Sequence, residues 1–413
     1  MIKKEILLNQ KKILDLKLID RNFDIEEILS IFDLNKIIAL IGSRRAGKTF
    51  LTFQIIQKLI SKNIIEIENI VYVDFSGLLS KNIDFSSLEE DYLSLFPDKK
   101  PFFVFDEIQE LDDFPSKLIG LLNKGYKIII TGSNAHLLSK EISTLLRGKV
   151  YTKEIFPLDF KEYLIFNNIK YEKNDLILNK SRYKYEFNNF LKWGGFPEIV
   201  LTENEIVKEN ILKTYLDVMI YKDLQDRYSI KNDYVLKFFI KRVLSTFSKE
   251  LNINKIYNEL KGNNIKIGKD SLYNLYEYLD DIYLISGLNN YWAQIKGLKK
   301  TYLIDVAFAN FVGNDDLGKR FENFVYIELI KKNYEIFFLN KTYEIDFYLP
   351  YYNTYIQVVY NLNQENIERE TQNLLKLDGN KIIIYHDIET DIHLDININF
   401  IDFSEFVFNF EIY

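Results

Sequence analysis

Short apolar runs recur along the first part of the chain: Ile37–Ile41, Ile70–Asp74, Phe102–Phe105, Lys127–Thr131 and Val150–Ile155. Each has the length of a strand and too little polar alternation for one face to meet water. The segments between them, Thr49–Ser61, Phe114–Asn123 and Ala135–Leu146, have helical length. Buried strands alternating with helices predict a parallel sheet covered on both faces. Residues 1–35 read as two helices, with Asp24 as the N-cap of the second.

After Phe156-Pro157-Leu158 this rhythm stops. Residues 158–227 read as helical, interrupted by the turn at Trp193-Gly194-Gly195-Phe196-Pro197. Helices are predicted at 232–248, 252–260 and 269–281, followed by apolar runs at Tyr283–Leu288 and Thr301–Ile304. Three helices and a two-stranded ribbon suggest a winged helix-turn-helix. A helix at 318–332, strands at Ile336–Leu339, Glu344–Leu349, Tyr355–Val359 and Lys381–Tyr385, and a helix at 364–377 complete the chain. The fold class is multidomain α/β, divided at 1–157, 158–230, 231–310 and 311–413.

Composition narrows the chemistry. A length of 413 residues suggests two to four domains. The chain has no cysteine, which excludes disulfides, thiolate zinc sites and a thiol nucleophile. Its three histidines, His136, His386 and His393, are too scattered for a histidine-rich metal centre, leaving carboxylates as ligands for a hard cation. The net charge of −7 argues against a uniformly basic nucleic-acid binder but allows a local basic face. No signal-peptide core and no membrane-spanning apolar stretch is evident, so a soluble cytoplasmic protein is expected.

Gly42-Ser43-Arg44-Arg45-Ala46-Gly47-Lys48-Thr49 follows a predicted strand and opens a predicted helix. That is the context of a phosphate-binding loop. Its glycines let backbone N–H groups turn inward onto polyphosphate oxygens. Lys48 then reaches the β- and γ-phosphates of ATP, and Thr49 offers a hydroxyl to Mg²⁺. Phe102–Phe105 ends in Asp106 and Glu107, carboxylates suited to hold Mg²⁺ and to orient or deprotonate the attacking water. The next strand ends in Thr131-Gly132-Ser133-Asn134. Asn134, or Ser133 beside it, either touches the γ-phosphate or caps the following helix. Arg147 either reaches a neighbouring subunit's γ-phosphate or is a surface arginine near a helix C-terminus.

These residues resemble the AAA+ ATPases, in the order Walker A, Walker B, sensor, arginine. More narrowly, the chain resembles prokaryotic AAA-family ATPases with a helical lid, a winged helix and a restriction-endonuclease-like C-terminal domain of unknown function. The matching phrases are Gly42–Thr49, Phe105–Gln109, Thr131–Ser133, Leu146–Gly148, Phe156–Phe160, Trp193–Glu198, Tyr221–Leu224, Tyr302–Asp305 and Lys319–Asn323. The resemblance implies an ATPase core over 1–157, a lid over 158–230, a winged helix over 231–310 and the nuclease-like domain over 311–413. It also implies that Pro197, in Gly195-Phe196-Pro197, lies at the lid position that senses nucleotide.

The C-terminal part resembles the PD-(D/E)XK core, with Glu322 on a helix and Asp346 on a strand. Where that core has Glu-x-Lys, this chain has Gln357-Val358-Val359. Two of the four functional groups are missing, so loss of cleavage is expected. In the winged helix, Trp292, Lys296, Lys299 and Lys300, with Lys237, Lys241 and Arg242, form the candidate basic face for DNA. A packing role for this part is the other reading. Three functions follow: an ATP-driven switch acting on nucleic acid or protein, an ATP-regulated binding module with little turnover, and a Mg²⁺ nuclease. A trans-acting Arg147 requires a homo-oligomer.

Overall fold

The computed structural model describes residues 2–77, 84–133, 146–171, 179–292 and 299–412. It forms two compact units: Met1–Phe156 with Asp281–Tyr283, and Pro157–Asp280 with Leu284–Tyr413.

The first unit is built on strands β1 (Ile37–Ile41), β2 (Ile70–Asp74), β3 (Phe102–Asp106), β4 (Lys127–Gly132) and β5 (Val150–Glu154). They form one parallel sheet in the order β2-β3-β4-β1-β5. Every residue of β1 and β3 is buried, as a parallel strand covered on both faces requires. β5 is an edge strand and its sequence turns polar, with no fully buried residue. The order brings the carboxyl ends of β1, β4 and β3 side by side, a switch point where α/β sheets place their ligands.

Helix α1 (Ile2–Asp15) covers the opposite edge. Its Asn9 donates to the Tyr72 carbonyl at 3.1 Å and its Gln10 to the Ile70 carbonyl at 3.0 Å, satisfying edge groups of β2 that no strand pairs. Helix α2 (Ile25–Asp33) begins at Asp24, which caps it by accepting from the Glu26 N–H. Helices α3 (Lys48–Ser61), α4 (Phe85–Leu95) and α5 (Phe114–Asn123) follow β1, β2 and β3. Helix α4, capped by Asp84, is not marked by the apolar pattern of its residues. The predicted helix Ala135–Leu146 falls almost entirely outside the described residues.

The second unit starts with helices α6 (Phe160–Phe166), α7 (Lys180–Trp193), α8 (Pro197–Val200) and α9 (Glu205–Val218), the last running into a π-helical stretch at Met219–Asp226. Helices α10 (Asp233–Thr246), α11 (Ile253–Gly262) and α12 (Lys269–Asp281) follow. The ribbon expected after them has a third strand. Strands β6 (Lys249–Glu250), β7 (Ile285–Leu288) and β8 (Lys300–Leu303) pair antiparallel in the order β6-β8-β7. A two-residue strand such as β6 leaves no periodicity to read.

After helix α13 (Leu317–Lys331) come β9 (Phe337–Asn340), β10 (Glu344–Leu349), β11 (Thr354–Leu362), helix α14 (Ile367–Leu375), β12 (Asn380–Ile388), β13 (Asn399–Asp402) and helix α15 (Phe403–Asn409). These strands form a mixed sheet, β13-β12-β11-β10-β9. The hairpin segment continues that sheet. The Tyr291 N–H donates to the Phe338 carbonyl at 3.0 Å, and the Phe338 N–H donates to Asn289 at 3.1 Å.

Three of the phrases singled out in the sequence converge within this unit. Asp305 accepts from the Gly195 N–H at 2.7 Å and from the Ala307 N–H at 2.8 Å. A Cβ on Gly194 would stand 1.7 Å from the Asp305 carboxylate, so only glycine lets the turn come this close. Arg320, 1% exposed, donates to the carbonyls of Leu191 (2.9 Å), Lys192 (3.1 Å) and Asn314 (2.7 Å). Asn323 grips Leu303 by both its N–H (2.7 Å) and its carbonyl (2.8 Å). Polar side chains thus join α7, β8 and α13 through backbone groups that would otherwise be buried unpaired.

Candidate nucleotide site

The loop between β1 and α3 is shaped by three residues with positive φ: Gly42 (147°), Arg45 (66°) and Gly47 (91°). A Cβ on Gly42 would stand 2.0 Å from the Ile155 carbonyl oxygen. The loop is braced from outside by Arg21, whose guanidinium donates to the Ala46 carbonyl at 2.7 Å and the Phe156 carbonyl at 3.1 Å. Nothing in the local pattern around Arg21 signals this brace, because its partners are distant in sequence.

Lys48, 4% exposed, donates to the carbonyls of Gly42 (3.1 Å) and Ser43 (2.9 Å) and lies 4.0 Å from a Glu107 oxygen. Ser43 Oγ is buried in the loop with no hydrogen-bond partner among the described residues. Arg44 approaches Glu110 at 3.8 Å, while Arg45 is exposed and Ala46 buried.

Asp106 is gripped from three elements. Thr49 on α3 donates to it at 2.7 Å, Tyr72 on β2 at 2.8 Å, and Thr131 on β4 in a further bond. Burial raises its carboxyl above the usual range. The hydroxyls of Thr131 and Thr49 oppose that shift, and the charge of Glu107 adds to it. Glu107 sits in left-handed backbone, φ 52° and ψ 46°. Its N–H donates to Thr131 Oγ1 at 3.0 Å, so one hydroxyl ties both acids together. Its carboxylate accepts from Gln109 and, at 3.0 Å, from Ser133. Burial raises the Glu107 pKa, but Lys48 and Arg44, with these two donors, more than offset it and hold the group ionised below its ordinary value.

The loop Gly42–Thr49, Asp106 and Glu107 are therefore brought together. Ser133 reaches Glu107, and Asn134 lies outside the described residues. Arg147 is exposed in the turn preceding β5. Pro197 opens α8 in the second unit. Tyr72, Thr131 and Gln109 join the site without a sequence motif that assigns them a role. Thr131 and Ser133 could have been flagged together, since residues two apart share a strand face.

The expected basic face is not assembled as drawn. Lys300 is held between Glu322 and Asp346, largely shielded, rather than presented to a partner. Lys237 pairs with Asp233 at 2.8 Å, Arg242 with Glu259 at 2.7 Å and Lys299 with Glu277 at 3.6 Å. Trp292 and Lys241 are exposed, and Lys296 lies outside the described residues. Acidic side chains beside the cations, Asp233 one turn back on the same helix as Lys237 and Glu259 and Glu277 on other elements, cancel most of the face. No described helix is long and apolar enough to cross a membrane. Among the described residues no group of three or more acidic or imidazole side chains is placed to hold a metal.

An AAA domain model matches residues 34–164, and a model for a domain of unknown function (DUF8612) matches residues 184–318. The uncharacterized protein MJ1544 of Methanocaldococcus jannaschii is 38% identical over 391 residues, 90% of this chain and 86% of that protein. An uncharacterized protein of Haemophilus influenzae is 29% identical over 388 residues, 89% of this chain and 93% of that one. Among solved structures, the Aeropyrum pernix ORC1 protein in complex with DNA overlays with a TM-score of 0.32 at 9% identity, covering 74% of this chain and 96% of that one. With a relative 38% identical over 90% of the chain and the AAA model lying over the phosphate loop, the chain belongs to a family of prokaryotic AAA+ P-loop ATPases.

Proposed function

We propose that this protein binds ATP with Mg²⁺ at the β1–α3 loop and hydrolyses it, using the cycle as a conformational switch on a nucleic-acid or protein partner. One observation carries the reading: Lys48, the Thr49–Asp106 pair and Glu107 meet at the carboxyl ends of β1 and β3, which flank β4 in the sheet. The loop fits a polyphosphate. It offers a helix N-terminus, a buried ammonium and the hydroxyl of Ser43, which has no partner among the described residues. Thr49 and Asp106 fit Mg²⁺, because a buried carboxylate with a raised pKa gains from a cation beside it. The metal would neutralise charge on the phosphates. Lys48 binds the β- and γ-phosphates, and Glu107, kept ionised, orients the attacking water and accepts its proton. Asn134 or Ser133 would contact the γ-phosphate or that water. Arg147 from a second copy would stabilise charge on the transferred phosphoryl group, and Pro197 would sense nucleotide from the lid. The parts 1–157, 158–230, 231–310 and 311–413 serve as core, lid, winged helix and nuclease-like tail.

The test is ATP turnover alongside calorimetric binding. Lys48→Ala abolishes binding. Glu107→Gln binds ATP but turns over ~10²–10⁴-fold more slowly, the usual contribution of a general base. Wild-type turnover by Lys48→Ala would overturn the assignment.

The hydrogen bonds from Gln109 and Ser133 to Glu107 favour a second reading, an ATP-regulated binding module in which hydrolysis is restrained. Salt titration of duplex DNA binding, with and without ATP, separates the two. Binding absent even at low salt removes DNA as the partner.

A further inference from the structure

The acidic pair of the C-terminal domain is not open. Lys300, the first residue of β8, extends its ammonium to 2.8 Å from Glu322 Oε1 on α13 and to 2.8 Å from Asp346 Oδ1 on β10. All three side chains are largely shielded, with exposures of 13%, 15% and 10%. Two further hydrogen bonds reach the carboxylates from the protein. Glu322 Oε1 also accepts from Tyr302 at 2.7 Å, and Asp346 Oδ2 accepts from the Val358 N–H at 3.0 Å. Gln357 sits across the β10–β11 pairing from Asp346. Its amide oxygen accepts weakly from the Asp346 N–H at 3.4 Å, and its amide nitrogen donates to Glu370 at 3.1 Å. Val359 is buried and brings no charge.

We propose that the Lys300 ammonium, carried in from the hairpin, occupies the place that a hard divalent cation would take between Glu322 and Asp346. The C-terminal sheet is thereby fastened to the hairpin by a metal-independent ion triad. A positive charge is needed there because two buried carboxylates facing each other repel and lose their hydration. Burial works against the charge on Lys300, yet the carboxylates of Asp346 and Glu322 drive its pKa well above the ordinary lysine value, so the ammonium stays protonated. An ammonium satisfies two carboxylates without the open coordination positions that activate water. The inference does not depend on the nucleotide site.

Thermal unfolding and Mn²⁺ binding of the nucleotide-free full chain test it. In the wild type, EDTA leaves the Tm of the second unit unchanged, and Mn²⁺ titration detects no site that Asp346→Asn removes. Lys300→Met leaves two uncompensated acids and lowers that Tm by roughly 10 °C. Added Mn²⁺ recovers part of the loss in Lys300→Met, and Asp346→Asn abolishes the recovery. The neutral combination Lys300→Met/Glu322→Gln/Asp346→Asn unfolds near the wild type, which keeps the test available should the single variant fail to fold. Three results would each overturn the proposal: an EDTA-sensitive wild type, an Asp346-dependent Mn²⁺ site in the wild type, or a folded Lys300→Met chain indifferent to Mn²⁺.

Discussion

At the scale of single residues, the nucleotide site depends on side chains that hold other side chains. Thr131 Oγ1 donates to Asp106 while accepting from the Glu107 N–H, which steadies a glutamate in a backbone region that L residues adopt only at a cost. Thr131→Val keeps the shape and removes both bonds. Its expected effect is a loss of turnover of roughly 10–100-fold, with ATP affinity nearly kept, read as kcat against Kd. A second residue acts on stability alone. His386 is buried among Phe187, Tyr360 and Phe403, and neither ring nitrogen has a partner among the described residues. Burial, with Lys184 nearby, lowers its pKa to about 4. Above pH 6.5 the ring is neutral folded or unfolded, and its packing contributes fully. As pH falls from 6.5 towards 4 the unfolded chain takes up a proton that the folded chain refuses, and up to ~3 kcal/mol is lost. Denaturant melts of His386→Phe across that range should show this part of the pH slope gone.

At the scale of elements, the motifs read from the sequence prove to be joints. Gly42 lets the phosphate loop lie against the end of β5, where any Cβ would meet the Ile155 carbonyl. Gly42→Ala should therefore cost ATP binding and lower the first unit's Tm together. The Trp193–Glu198 turn, the Tyr302–Asp305 strand end and the Lys319–Asn323 stretch of α13 are one connected set of bonds in the second unit. Arg320→Met strips the donors from at least three backbone carbonyls at once. A loss of ~3–5 kcal/mol is expected, measured by urea unfolding of the second unit, because a lost charged bond leaves its buried acceptors unpaired. α4 and β6 escaped the sequence pattern for opposite reasons. α4 lies in a stretch of mixed polarity, whereas β6 is short enough that only its partner β8 defines it.

At the scale of the whole molecule, two compact units predict two unfolding transitions that respond to different perturbations. Mg·ATP at about 100 times its Kd should raise the first by ~2.7 kcal/mol. Lys48→Ala should erase that rise, and calorimetric scans of the full chain read both effects. The basic face shows how a surface property escapes a linear reading. Arg242 and Lys299 are legible as cations, but Glu259 and Glu277 stand beside them only once the elements pack, whereas the Lys237–Asp233 pair is local to one helix.

The amino-acid order alone was enough for the alternating strands and helices of the first unit, the phosphate loop and its two acids. Each of these is local: a run of apolar residues, a glycine spacing, a carboxylate at a strand end. Tertiary structure alone decided which groups hold those acids, why three separated phrases matter to one another, and where Lys300 goes. Those are relations between residues far apart in the chain, fixed by packing and by the need of buried polar groups for partners. No local pattern carries them.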